Sequence, residues 1–336
     1  MRKKLLSSVF LLMLFASCAS QRGAWEALRA EEFFTIGMAY FELGRFTDAE
    51  TWLNRARVAD RTLVASEYNL GRIAFETRRF GDAARYFENV LARDPDNVMA
   101  LQAAAFMRIR NGEFERAEEL YLRLLELVPE SADNGFNYAL VLFGLERFEE
   151  SEEVLKRYPH ALEENPSAIL LLARTQRAQN KVEAIDSYAN WLLIHTGAPN
   201  PQGIFEYAQV LESAGHYARA LEQFDSAMEA LERDTATLTK AMIRFGKSRV
   251  ILAVDPHNIE GMTEFSLAIT EGFSDTDAIS ALLTDGRITS DNRDEIRRVL
   301  NEILIRERER AEQERGGDDE DDDDDDEDDD DEDDDD

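Results

Sequence analysis

The stretch 98–131 reads VMALQAAAFMRIRNGEFERAEELYLRLLELVPES. Its apolar residues recur every three or four positions, which is typical of helices, and Gly112 divides it into two helical halves. The second half begins near a phenylalanine that belongs to a series with a constant step of 34 residues: Phe46, Phe80, Phe114 and Phe148. A fixed period of this length predicts a solenoid of stacked helical hairpins, which has a concave face for partners.

Small residues keep the same step, and they allow the two helices of a hairpin to approach closely. Pro95 and Pro129 follow the second helix and are expected to stop it. The glycines near Gly44 and Gly112 are expected to end the first helix. The two small-residue series are Gly37, Gly71, Ala105, Ala139 and Ala49, Ala83, Ala117, Ser151.

This combination of small, aromatic and proline positions resembles the tetratricopeptide repeat. The resemblance implies an all-α fold, a right-handed α-solenoid of helical hairpins with a C-terminal helical cap. A fifth unit has weak turn chemistry at Gln179-Asn180, and prolines and glycines break the array at 195–203. The predicted organisation is a signal peptide at 1–17, a lipidated tether and helix start at 18–29, a repeat array of about five units at 30–198, further hairpins at 199–256, a helical capping region at 257–315 and a disordered acidic tail at 316–336.

In proteins of this family the concave face is lined mainly by the first helix of each unit. The corresponding residues here are mostly apolar, which predicts a groove for an amphipathic helix or an apolar peptide. The alternative is that superhelical curvature or the C-terminal helices bury them as core. They are Phe34, Met38, Phe41, Tyr68, Arg72, Phe75, Met99, Phe106, Ile109, Phe136, Leu140 and Phe143.

The family's carboxylate clamp, which recognises acidic peptide C-termini, has only one matching residue in this chain. The clamp positions hold Phe34, Met38, Asn69, Met99 and Ala103, and only Asn69 fits. Recognition of an acidic peptide C-terminus is therefore not expected.

The N-terminus predicts export and a lipid anchor. Basic residues at 2–4 precede an apolar run of 11 residues at 5–15, which is shorter than the roughly 20 residues of a membrane span. The run ends before Cys18, the only cysteine, and 14–18 resembles a bacterial lipobox. The resemblance implies that Cys18 carries acyl chains such as palmitate and holds the protein on a membrane. Ordinary signal cleavage near Ala19 or Ser20 is the alternative.

The C-terminus is an uninterrupted run of 19 acidic residues at 318–336, which holds more than half of the net charge of −32. Because its charges repel and it has no apolar residues, the run is expected to be disordered. Three roles are open: a solvating extension, a lure for basic partners, and weak binding of divalent cations. The charge disfavours nucleic acid as a partner.

Catalysis has little support in the sequence. The four histidines, His160, His195, His216 and His257, are far apart, and none has metal-ligand spacing to another histidine or cysteine. No phosphate-binding glycine loop or nucleophile elbow occurs. We therefore expect no enzyme, no metal site and no cofactor.

The main functional interpretation is a membrane-anchored scaffold in a bacterial cell envelope, facing the periplasm and binding another protein. One alternative is a surface-exposed lipoprotein adhesin that binds host molecules. Another is a carrier of a small apolar ligand.

Overall fold

The computed structural model describes residues 27–195, 197–286 and 288–317. The predicted signal peptide, the lipidated Cys18 with most of its tether, and the acidic run 318–336 lie outside the described residues. Within them every regular element is a helix, and consecutive helices pack as hairpins, so the predicted all-α solenoid fold is confirmed.

The described residues fold into two compact units, which divide between Lys181 and Val182. The helices of the first unit are α1 (27–42), α2 (Phe46–Ala59), α3 (Val64–Glu76), α4 (Phe80–Leu91), α5 (Val98–Arg110), α6 (Phe114–Leu127), α7 (Ala132–Gly144), α8 (Phe148–Arg157), α9 (Pro159–Glu164) and α10 (Pro166–Ala178). Those of the second unit are α11 (Ala184–Ile194), α12 (Pro201–Ser213), α13 (Tyr217–Ala230), α14 (Lys240–Val254), α15 (Ile259–Thr270), α16 (Thr276–Thr284) and α17 (Ser290–Gly317).

The 34-residue phenylalanines have one structural role in all four hairpins: each is the first residue of the second helix. In three hairpins this ring packs edge-to-face on a phenylalanine near the end of the first helix. The pairs are Phe41–Phe46, Phe75–Phe80 and Phe143–Phe148, with centroids 5.6, 5.7 and 5.3 Å apart. Such pairs contribute about 0.5–1.5 kcal/mol beyond the burial of their area. In the third hairpin Ile109 stands in place of the first phenylalanine.

The turn inside each hairpin contains one residue in the left-handed region. It is Gly44 and Gly112 in two hairpins, as expected, but Arg78 and Glu146 in the others, with φ of 60° and 59°. Asn180, with φ of 56°, continues the same 34-residue step. The residue after each turn donates its N–H to a carbonyl five residues back, for example Lys181 to Gln176, as in the Schellman motif.

Small residues lie where a second helix crosses the first. A Cβ added at Gly71 would come within 2.6 Å of the Phe87 ring, so only glycine allows α4 this close to α3. Ala49, Ala83 and Ala117 are fully buried on the second helices. The sequence series therefore marks the contact line between the two helices of each hairpin.

The division between the two units differs from the one suggested by the sequence. The predicted break was the proline- and glycine-containing segment 195–203, whereas the boundary between the units falls after Lys181. α11 packs against α12 across that segment, because Trp191 of α11 lies against Gly203, where an added Cβ would meet the indole ring at 2.6 Å. The prolines therefore belong to the connection between α11 and α12, with Pro201 in the first turn of α12.

The last described helices share one buried cluster of the second unit. Phe245, Phe265, Ile279 and Ile296 are buried together there, from α14, α15, α16 and α17 respectively. The final helix runs to Gly317, so the glycine pair 316–317, which was assigned to the disordered acidic tail, still belongs to the helix. Side-chain pairs one turn apart, such as Arg298 with Glu295 and Glu302, support this solvated helix.

Candidate functional site: a groove on the first helices of the repeats

The first unit contains a groove between the first helices of three successive hairpins, α3, α5 and α7. It encloses a cavity of about 590 Å³. We refer to its lining as the groove. The lining residues are Tyr68, Arg72, Phe75, Glu76, Phe87, Met99, Gln102, Ala103, Phe106, Tyr121, Asp133, Phe136, Asn137 and Asn165.

The repeat places equivalent residues at the same height on neighbouring helices. Tyr68, Gln102 and Phe136 are 34 residues apart and occupy one such row of the groove, one from each helix. Arg72 and Phe106 form a second row one turn further along. This arrangement follows from the 3.6-residue turn, which puts residues i and i+4 on one helix face.

The apolar part of the groove is half open to solvent. Met99 is 54% exposed and Phe106 is 44% exposed, although both are large apolar side chains. Phe106 meets Phe75 edge-to-face, with ring centroids 5.8 Å apart, and Phe75 in turn rests on Phe80. The exposed rings therefore stand on a structural aromatic pair, so their position does not require a partner.

Polar groups interrupt this apolar wall. The Gln102 amide donates to the Asn134 Oδ1 at 2.9 Å, and Arg72 donates to the Asn69 Oδ1 at 3.0 Å. The Arg72 guanidinium also lies 4.4 Å from the Phe41 ring centroid, in a cation–π contact. Burial raises the pKa of the Tyr121 hydroxyl, which lies at the wall of the groove, to about 12. The groove thus combines apolar side chains with fixed hydrogen-bonding groups.

Six of the twelve residues predicted from the family positions lie in the groove: Tyr68, Arg72, Phe75, Met99, Phe106 and Phe136. The other six do not line it. Phe34, Met38 and Phe41 pack against the buried cluster that contains Leu53 and Leu70. Ile109, Leu140 and Phe143 pack against the cluster that contains Tyr138 and Leu142.

Several lining residues were missing from the sequence-based set because that set kept mainly apolar positions. Gln102 shares a row with Tyr68 and Phe136, and Asn137 is 34 residues after Ala103, so the period alone would have placed them there. Asn165 comes from the loop before α10 and lies off the repeat. No row of the period could have indicated it.

Within the described parts of the chain no group of three His, Cys, Asp or Glu residues is placed to hold a metal ion. None of the helices between residues 27 and 317 is both long and apolar enough to cross a bilayer. The one clamp-like residue, Asn69, is nearly buried and uses its amide within α3, where it donates to the Ala65 carbonyl.

Two family models match the chain, both described as tetratricopeptide repeat, at residues 74–133 and 107–169. A curated relative from Treponema pallidum (strain Nichols), named only as an uncharacterized lipoprotein, is 25% identical over 173 residues. This match covers 52% of the chain and 88% of the relative.

Solved structures show the same fold at low sequence identity. A tetratricopeptide repeat protein from Parabacteroides merdae superimposes with a TM-score of 0.54 at 18% identity, covering 76% of this chain and 98% of that one. PilF of Pseudomonas aeruginosa gives a TM-score of 0.50 at 15% identity, covering 72% and 99%. With its 34-residue hairpins, its repeated turn and these matches, the chain contains tetratricopeptide repeats, which the family models match within residues 74–169.

Proposed function

We propose that this protein is a membrane-tethered scaffold of a bacterial cell envelope, and that its groove holds an amphipathic helix or an apolar peptide of another protein. Tetratricopeptide repeats generally serve protein interaction, which supports the broader statement. The observation that carries the finer proposal is the exposure of Met99 and Phe106 in the groove. Exposed apolar side chains gathered in one concavity usually mark an interaction site.

The shape and chemistry of the groove suit such a peptide. Met99 and Phe106 are two helical turns apart on α5, so they can contact apolar residues on successive turns of a bound helix. Gln102, Asn137 and Asn165 offer amides that can bond to polar groups at the edge of the peptide. Methionine adds a flexible apolar surface that adapts to its partner.

The tether belongs to the same proposal. Cys18 follows a lipobox-like segment, and the relative from Treponema pallidum is named a lipoprotein. An acylated Cys18 would hold the groove near a membrane, on the periplasmic side.

Protease treatment of intact cells distinguishes this periplasmic scaffold from a surface adhesin, since only the surface protein would be cut without permeabilising the outer membrane. Mass spectrometry of the detergent-extracted protein tests whether Cys18 is acylated.

Photo-crosslinking in living cells tests the groove directly. A photoreactive amino acid replaces Phe106 in one variant and Leu122 in another; Leu122 is 46% exposed but lies on α6 outside the groove lining. A partner that crosslinks from position 106 and not from position 122 supports the proposal. The purified partner should then bind the Met99→Ser/Phe106→Ser variant at least about tenfold more weakly, because each lost apolar contact weakens binding. Equal crosslinking from both positions, or unchanged affinity, contradicts it.

A small apolar ligand is a second candidate for the same groove. Its volume of about 590 Å³ lies within the usual range for ligand sites, roughly 300–1,000 Å³. Native mass spectrometry of the purified protein distinguishes the two candidates. A co-purifying mass that disappears in the Phe106→Ser variant favours the ligand.

A further inference from the structure

The first hairpin carries a second surface with a different chemistry, formed by α1 and α2. Phe33 and Trp52 pack against each other with ring centroids 5.6 Å apart. Arg29 lies 5.7 Å from the Phe33 centroid, and Arg55 lies 4.5 Å from the Trp52 centroid. We call these four residues and Val58, which is 76% exposed, the α1–α2 face.

In the part of the chain that the structure describes, the two arginines of this face are not engaged by carboxylates, unlike many arginines of the first unit. Arg45, Arg79, Arg108 and Arg147, among others, form ion pairs with carboxylates. Within the described residues neither Arg29 nor Arg55 has a carboxylate within ion-pair distance, although the chain is strongly acidic. Both guanidiniums therefore stack on aromatic rings and remain available to an external anion.

The second observation is the place of the α1–α2 face in the chain, close to the predicted anchor at Cys18. A cavity of about 730 Å³ lies at this face, lined by Arg29, Phe33, Asn54, Arg55, Val58 and Ala59. Eight residues separate Cys18 from Ala27, where α1 is first described. Even fully extended, they span at most about 30 Å. If Cys18 is acylated, the start of α1 cannot be further than this from the lipid headgroups.

We propose that the α1–α2 face rests on the membrane, with Phe33, Trp52 and Val58 at the headgroup level and the guanidiniums of Arg29 and Arg55 on anionic lipid phosphates. This rests on the tether of the proposed function. Tryptophan and arginine are favoured at the bilayer interface, since both place an apolar body beside a polar group. Anionic headgroups attract juxtamembrane basic side chains. The short tether raises the local concentration of this face at the bilayer.

The experiment recreates the tether chemically, so that it does not depend on native acylation. Because Cys18 is the only cysteine, the chain from Cys18 onward can be coupled to a maleimide lipid in vesicles of phosphatidylethanolamine and phosphatidylglycerol. A Trp25→Phe substitution leaves Trp52 at the face and Trp191 buried in the second unit. Lipids brominated near the headgroup then quench Trp52 if the face lies on the bilayer.

The proposal predicts quenching of the coupled parent, and its loss in the Arg29→Glu/Arg55→Glu variant. The matched control is Arg85→Glu/Arg116→Glu, which makes the same charge change at two exposed arginines of the same unit and should keep the quenching. High salt should reduce the quenching as it screens the guanidiniums. Circular dichroism checks that all variants fold.

Three outcomes would overturn the proposal: no quenching of the coupled parent, equal quenching in both double variants, or a dimer in sedimentation that the Arg29→Glu/Arg55→Glu variant abolishes. The last would assign the face to a second copy of the chain. Failure of the proposed function can be told apart from failure of this proposal, because crosslinking from position 106 and the mass of the native protein at Cys18 are measured without the vesicles.

Discussion

Two helices at the same place in the repeat, α5 of the first unit and α12 of the second, present opposite surfaces. In α5 the groove positions hold the exposed Met99 and Phe106. In α12 the equivalent positions hold Gln202 and Gln209. The Gln202 amide donates a hydrogen bond to the Glu206 carboxylate at 3.0 Å. The aromatic residues of α12 are buried, and Phe205 is only 5% exposed.

This contrast shows that the hairpin fold does not require exposed aromatic residues. Phe205 packs on Phe224 with centroids 5.7 Å apart, so the aromatic residues of α12 stabilise the core of the second unit. The rings of Phe75 and Phe106 are partly left in solvent in the first unit. An exposed apolar surface that does not contribute to the stability of the fold is better explained by a role in binding.

The strongest test of this comparison replaces one phenylalanine in each unit with serine. Phe205→Ser should lower the free energy of unfolding of the second unit by about 3–5 kcal/mol, because it opens a cavity and buries a hydroxyl. Phe106→Ser should cost the first unit less than about 1 kcal/mol, as is usual for exposed positions. Hydrogen exchange by mass spectrometry on peptides of each unit measures both. Similar costs would place Phe106 in the core and remove the argument for the groove.

A second test concerns the end of the first unit, where Glu152 is 4% exposed. Burial alone would raise the pKa of this carboxyl, but hydrogen bonds from Lys156, Lys181 and two glutamines lower it from 4.5 to about 2. A lowered folded-state pKa stabilises the fold above the unfolded value of 4.5, and the contribution disappears as the pH falls towards 2.

Glu152→Gln should therefore cost the first unit about 2–3 kcal/mol at pH 7 and flatten its pH dependence between about 4.5 and 2. Urea unfolding at several pH values measures the effect. Glu150→Gln, at an exposed carboxylate paired with Arg147, is the control and should change stability little. An unchanged acid dependence of Glu152→Gln would mean that other carboxylates control the acid stability of this unit.

A third test compares two glycines of the second hairpin. Gly71→Ala should destabilise by about 1–3 kcal/mol, because the new methyl group meets the Phe87 ring at 2.6 Å. Gly81→Ala faces no atom within 4 Å and should gain up to about 1 kcal/mol from its helix propensity. Thermal unfolding of the pair measures this. If both behave alike, the close contact of α3 with α4 does not limit the first unit.

The smallest effects are expected at the turns. Arg78→Gly and Glu146→Gly should each raise the stability of the first unit by about 0.5–1 kcal/mol, because glycine adopts positive φ without the cost of a Cβ. Gly112→Ala, at φ of 73°, should lower it by about 1 kcal/mol. Differential scanning calorimetry resolves shifts of this size. A loss of stability in Arg78→Gly would show that side-chain contacts outweigh backbone strain there.

Much of the fold could be predicted because the same pattern of residues recurs in several repeats. Four phenylalanines at one step predicted the hairpins, and each begins a second helix. The turn at Asn180 was harder to predict, since an exposed turn without glycine has weak sequence chemistry although its backbone keeps the step. The boundary at Lys181 could not be predicted, because Trp191 joins α11 to α12 through a contact that the local composition does not reveal.

The order of residues along the chain was enough to specify the helical hairpins, their period and the lines of small residues, because these depend on local spacing along a helix. Which apolar residues face solvent was settled by the packing of the folded chain. Phe41 and Phe106 both occupy positions that the family assigns to the concave face. Phe41 packs on Phe46 and on the core of the first hairpin, whereas Phe106 stands half exposed between neighbouring helices. Exposure depends on how successive hairpins stack, and that packing is set by contacts between residues far apart in the chain.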